Sequence, residues 1–340
     1  MISGVEPSTA LPWQKTFLRR YSKILCLFTL FLIFAGGQVT STGSGLSVPD
    51  CPLSYGMVFP PMVGGVFYEH GHRMVATAVG FLMLCFAILL ACWEKRRWVK
   101  NLGFVAVGAV VLQGVLGGIT VLFFLPTAVS VSHAVLAQTF FVLTIILAYS
   151  QSEERISRER ILENGGSSQF LWWIIIWIFV IYVQLALGAL MRHTESGLAI
   201  PDFPTMGNQW LPKFDESMLA WINDWRFENN YDLVSVFQVF IHFLHRLGAI
   251  VLLLVLIIVN AVAVQKISEN IKKTFSTLLI LDGLIFLQVI LGISTVLTFK
   301  NPIITSLHVM LGAGILGWST LLLLRASPLS FRKLKKQLFK

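Results

Sequence analysis

Four histidines, His72, His133, His245 and His308, each lie inside an apolar stretch, within about two helical turns of one end of it. Ionisable side chains in such surroundings are costly and mark function. They form two pairs at one level. Two facing imidazoles in an apolar four-helix bundle can supply both axial ligands of a haem iron, and the macrocycle needs that apolar surround. An interhelical hydrogen bond is the alternative for any one of them, but recurrence at four equivalent positions favours haem. Zinc is disfavoured because no carboxylate or thiolate accompanies three of the four.

The exception is His72. Glu69 lies three residues earlier and projects from the same helical face. The residue in the same place before His245 is His242. A buried carboxylate on one side only predicts proton transfer there and cofactor holding on the other. The alternative is a rim carboxylate, hydrated or paired with Arg73. Arg73 and Arg246 follow two of the histidines and suit the propionates of a haem, or else snorkel to lipid headgroups. His70 is turned about 200° from His72 and faces elsewhere. His242 shares a face with His245 and could line the second pocket without ligating iron.

The elements that position these residues are membrane helices. The 340 residues are 56% hydrophobic and 13% charged, whereas a soluble domain is roughly a quarter charged. Eight apolar runs, at 24–39, 66–93, 102–125, 129–149, 170–191, 233–264, 274–298 and 303–324, approach or exceed the length of a bilayer span. The predicted fold is an all-α polytopic membrane protein with eight transmembrane helices. The chain also repeats itself. STGSGLSVPDCP from Ser41 and HTESGLAIPDFP from His193 share seven of twelve residues. Gln113, Leu116, Gly117, Thr120 and His133 align without a gap on Gln288, Leu291, Gly292, Thr295 and His308. Two parallel four-helix units follow, 1–150 and 170–340, joined by a mixed-charge linker at 151–169 and related by an axis along the membrane normal. The Gln and Thr side chains read as interhelical hydrogen-bond donors, and the two glycines as points of close helix approach.

Lys95, Arg96, Arg97 and Lys100, then Arg155, Arg158 and Arg160, then Lys266, Lys272 and Lys273 fall between alternate runs. With the basic N-terminal segment and the tail at Arg325, Arg332, Lys333, Lys335, Lys336 and Lys340, they put both termini in the cytoplasm and the repeated loops and histidines at the outer face. The net charge of +9 is this topology signal, and nothing in it argues for nucleic acid. The first run is read as a retained helix rather than a cleaved signal. The loop from Arg192 to Asp232, with Trp210, Trp221 and Trp225, has room for a short capping helix. His193, in the place of Ser41, reads as a surface residue. Cys51 has no cysteine partner in its loop, and Cys26, Cys85 and Cys92 read as small apolar residues.

The ordered set of duplicated Gly-Leu-x-x-Pro-Asp loops, Glu69-x-x-His72-Arg73, His245-Arg246, His133 and His308 resembles the haem A synthase family over nearly the whole chain. The resemblance implies oxidation of a ring methyl of haem O to a formyl group through a hydroxymethyl intermediate, for cytochrome oxidase. It implies that His72 and His133 flank haem O, that His245 and His308 ligate the iron of a permanent haem b, and that Glu69 is the essential carboxylate. Haem O synthase as haem donor, an unidentified electron partner and a prokaryotic plasma membrane are further expectations, and a homo-oligomer is compatible. Many members carry a cysteine pair in the first outer loop. Val48 and Cys51 stand around Pro49-Asp50 here, and Ile200 and Phe203 in the second loop, so a role assigned to such a pair does not transfer. Two other readings are a di-haem electron-transfer cytochrome, which explains the histidines but gives Glu69 no task, and a haem carrier, which predicts exchangeable haem in both halves.

Overall fold

The computed structural model describes residues 11–161, 167–266 and 272–327. Residues 162–166 of the linker and the tail cations Arg332, Lys333, Lys335, Lys336 and Lys340 lie outside them. Ten α-helices follow in order: α1 Pro12–Ser41, α2 Gly65–Trp93, α3 Arg97–Leu122, α4 Thr127–Ser150, α5 Glu153–Ile161, α6 Ser168–His193, α7 Glu216–Glu228, α8 Val236–Lys266, α9 Lys272–Leu297 and α10 Pro302–Ala326. All but α5 and α7 are long and apolar enough to cross a membrane, which gives the eight spans of a multi-pass membrane protein.

Each set of four long helices closes on its own apolar core. Leu25, Met83, Phe86, Leu90, Ala106 and Leu147 fill the one between α1, α2, α3 and α4. Trp177, Ile181, Val259, Leu281 and Leu316 fill the one between α6, α8, α9 and α10. Without a hydrophobic drive between helices in lipid, small residues decide where sets can approach. The two sets meet through α1, α4, α6 and α10. There Gly37 lies against Ser306 and Gly317 against the Phe141 ring, beside a small cluster of Ile33, Phe141 and Ala313.

The turns repeat as well. Phe124 and Leu125 between α3 and α4 have φ of 56° and 58°, and Phe299 and Lys300 between α9 and α10 have φ of 52° and 61°. Consecutive bulky residues in the left-handed region are strained, and they occur at equivalent places in both sets. At the opposite end the linker is helical over α5, with Glu153 and Glu154 in its first turn, where the helix dipole favours acids. Glu153 pairs with Arg19 of α1, and Glu154 with Arg325 of α10 at 2.8 Å, so α5 ties the two sets together. The capping helix expected in the long loop is α7. The Asp215 side chain caps it by accepting from Met218 N at 2.9 Å, and Met218 and Ile222 bury against Ile200, Val234 and Val239.

Candidate functional site

Each of the four histidines lies against a glycine of the neighbouring helix. A Cβ on Gly36 of α1 would sit 3.0 Å from Cε1 of His72, and one on Gly117 of α3 3.2 Å from that of His133. Gly188 of α6 and Gly292 of α9 stand at 3.1 Å to His245 and His308 in the same sense. Nδ1 of His72, His133 and His308 is buried without a hydrogen-bond partner among the described residues. The centroids of the His245 and His308 rings lie 6.5 Å apart, with the ring planes at 73°. His72 and His133 are near enough to interact electrostatically.

The backbones carrying the rings are also tied. Gln113 Nε2 donates to the His133 carbonyl at 2.9 Å, and Gln288 Nε2 to that of His308 at 3.1 Å. These are the interhelical bonds expected of the two glutamines, whereas Thr120 and Thr295 bond carbonyls of their own helices, at Gly117 (2.7 Å) and Leu291 (2.9 Å). Gln184 Nε2 donates to the His245 carbonyl at 2.9 Å and lies 3.2 Å from its Nδ1. Its equivalent in the first set is Leu32, so this bond has no counterpart there.

Over the rings close the two repeated loops. Arg73 donates through Nη1 to the carbonyls of Asp50 (2.7 Å) and Leu53 (2.9 Å), and through Nη2 to Glu69 Oε1 (2.6 Å). Glu69 Oε2 accepts from Val48 N at 2.9 Å. Arg246 donates to the carbonyls of Thr205, Ile200 and Asp202, and its Nε stands 3.1 Å from His242 Nε2. Ile200 N stands 3.2 Å from His242 Nδ1. The two clamps match residue by residue. A carboxylate accepts both donors at once, whereas a neutral imidazole accepts at one nitrogen only; Glu69 is therefore the better-satisfied of the two.

Glu69 is 4% exposed and His242 3%. Glu69 is thus both buried, as expected for a chemical role, and paired with Arg73, as the alternative held. Both arginines donate to loop carbonyls, a use the sequence could not show because it does not say where a carbonyl points. The loop motif has its reason too. Asp50 accepts from Tyr55 N (2.7 Å) and Gly56 N (2.8 Å), and Asp202 from Gly207 N (2.8 Å) and Asn208 N (2.9 Å). The bond from Gly56, more than the one from Tyr55, holds the Asp50 carboxyl below its usual range. Thr42 and Ser44, like Thr194 and Ser196, bond each other at 2.7 Å.

Residues 63–320 match the COX15-CtaA family of cytochrome oxidase assembly proteins. The haem A synthase of Bacillus pumilus is 28% identical over 292 residues, 83% of this chain and 86% of the relative. That of Shewanella oneidensis is 27% identical over 355 residues, 94% and 96% of the two chains. That of Bacillus licheniformis is 33% identical over 204 residues, 57% and 65%. The chain belongs to the haem A synthase family. Membership in it implies that haem is involved.

The donor set fits a haem. Two metal–nitrogen bonds of about 2.0–2.1 Å, with about 1.1 Å from each nitrogen to its ring centre, separate two axial imidazole centroids by about 6.3 Å, close to the 6.5 Å between His245 and His308. Among the described residues no three His, Cys, Asp or Glu side chains converge as an ion site.

One further ionisable side chain, His193, lies within electrostatic reach of His133. His70 turns away from the His72 face, as expected, and its Nδ1 bonds Ser54 Oγ at 2.8 Å. His193 is not on the surface: it is half-buried where α6 docks on α4, and its carbonyl accepts from Thr127. Cys51 is exposed, with its sulfur 3.4 Å from a Cβ placed on Gly118. The sequence reading passed over Asp282, an acid within α9 whose Oδ1 accepts from Asn260 Nδ2 at 2.9 Å. It also passed over Gly36 and Gly188, which the repeat aligns and which helical spacing places one turn before the loop.

Proposed function

We propose that this chain is a haem A synthase: it oxidises one ring methyl of haem O to a formyl group through a hydroxymethyl intermediate. His72 and His133 flank the substrate haem, and His245 and His308 ligate the iron of a resident haem b. The observation that carries the reading is the fourfold repetition of an imidazole seated on a glycine, with the second pair at axial-ligand spacing. The activity named for the relatives agrees with it.

The reaction takes in the oxygen of one water equivalent and releases four electrons and four protons, with molecular oxygen and an electron partner as the oxidant. Haem b supplies the one-electron chemistry that side chains lack. The protein's own groups orient and protect. Gly36 and Gly117 set the depth of the two imidazoles around the substrate, and Gln113 fixes the backbone of His133. Arg73 and Glu69 fasten the loop over the pocket, which excludes water from the reacting edge. Glu69, three residues before His72, is the acceptor for a proton leaving the substrate. Arg246 and His242 fasten the second loop with no carboxylate, as suits a site that holds rather than transforms.

The test is chromatography with mass analysis of haem extracted from cells making this protein together with haem O synthase, its expected donor. Haem A or its hydroxymethyl precursor is the expected product. Only haems B and O, from a folded and haem-loaded protein, would overturn the reading in favour of an electron-transfer cytochrome or a carrier.

A further inference from the structure

Arg73 and Arg246 donate to loop carbonyls, and two further cations stand near the second pair of histidines. One turn beyond Gly188 on the same face of α6 stands Arg192, within electrostatic reach of His308. Its Nη2 donates to the Gly37 carbonyl (2.8 Å) and to Ser41 Oγ (2.7 Å), and the rest of the guanidinium makes no hydrogen bond among the described residues. Lys300, in the turn between α9 and α10, lies with its Cδ 3.2 Å from a Cβ placed on Gly197 and within electrostatic reach of Arg192. Its ammonium makes no ion pair or hydrogen bond among the described residues. Partial burial, and then the charges of Arg226 and Arg192, push its ammonium below the usual value; Glu195 only partly opposes this. Cations crowded at the mouth of an apolar pocket without a paired carboxylate are unfavourable unless an anion joins them.

The first set has nothing comparable. Arg192 aligns with Thr40, whose hydroxyl bonds its own helix at Gly36 O, and Lys300 aligns with Leu125. The surroundings are otherwise the same: Leu125 packs on Gly45 as Lys300 packs on Gly197, at 3.3 Å and 3.2 Å from the Cβ positions. One pocket mouth carries two cations and its twin carries a hydroxyl and a leucine.

We infer that Arg192 and Lys300 bind the propionate carboxylates of the haem between His245 and His308, and that their absence from the first set leaves the haem between His72 and His133 free to exchange. This rests on the haem reading given above and deepens it. It would give a reason why one haem is kept and the other passes through: an arginine fork and an ammonium hold carboxylates by charge-assisted hydrogen bonds, and the substrate site offers no such pair at the equivalent positions.

The experiment follows haem transfer from the purified full-length protein to excess apomyoglobin by absorbance. The informative variant is Lys300→Leu, because leucine already stands at the equivalent position 125 with φ of 58° against 61° for Lys300. In the wild type one haem is expected to leave quickly and one slowly. Lys300→Leu should speed loss of the slow one by about 10- to 100-fold, as loss of a hydrogen-bonded ion pair predicts, and Lys300→Arg should restore it. Arg192→Gln should act in the same direction. Reconstitution with the dimethyl ester of haem, which has no carboxylates, should remove the difference between wild type and Lys300→Leu. Unchanged retention in Lys300→Leu, or equal acceleration with the ester, would overturn the anchor while leaving the haem sites standing. A wild type that purifies without haem would overturn the functional reading and the anchor with it.

Discussion

Replacing Gly292 by alanine tests whether the glycine seats set the iron ligands. The new methyl would stand 3.1 Å from His308 Cε1, whereas carbon atoms rest at about 3.5–4.0 Å. The ring would therefore have to retreat by about 0.4–0.9 Å, against a tolerance of about 0.2 Å in metal–ligand distances. Overpacking of this kind costs about 1–3 kcal/mol, which corresponds to a haem affinity about 5- to 150-fold weaker. Haem per protein after purification, together with the low-spin signature of bis-imidazole iron in electron paramagnetic resonance, reports both the loss and its cause. Gly283→Ala on the same helix is the control, because nothing lies within 4 Å of its Cβ position; it should keep the haem and gain about 0.5–1 kcal/mol of helix stability. Wild-type haem content and spectrum in Gly292→Ala would refute the reasoning, and so would an equal loss in Gly283→Ala.

Glu69→His installs the residue that the second set carries at the same place. It should keep haem at His245 and His308 and abolish haem A formation; continued product by mass analysis would remove the proton-transfer role. At the basic end, burial alone would raise the Glu94 carboxyl, but bonds from Arg96 and Gln151 hold it at about 2. A depressed folded value means that its contribution is present above the unfolded value of about 4.3 and is lost as pH falls toward about 2. Thermal unfolding in detergent should show that loss in the wild type and less of it in Glu94→Gln; identical acid profiles would exclude the group. Asn260→Leu removes the partner of Asp282 in the membrane and should cost about 1–3 kcal/mol. Much of that should return in the double variant Asn260→Leu with Asp282→Leu, and additive losses would show that the two side chains do not act as a pair.

The spans, the two pairs of histidines and the substitution of His242 for Glu69 were legible in the sequence, because hydropathy and repeat spacing record them directly. Three things were not. The charge of Arg73 and Arg246 is visible, but the loop carbonyls that take it arise only when residues 42–64 and 194–235 fold back over the bundle. Glycines are common in membrane helices, so Gly36 and Gly188 carry no signal until an imidazole lies against them. The significance of Arg192 depends on what Thr40 lacks at the same place, and an aligned loop draws attention to shared residues rather than to missing ones.

The seat of His245 also rests on two residues at once. A Cβ at Gly248 would fall 2.0 Å from the Gln184 amide oxygen, whereas the first set has Leu32 and Val75 at these two places, both packed on its core. A side chain at position 248 would push the amide from its place beside His245. The glutamine and the glycine therefore act as a pair: changing either alone alters the support of the His245 ring.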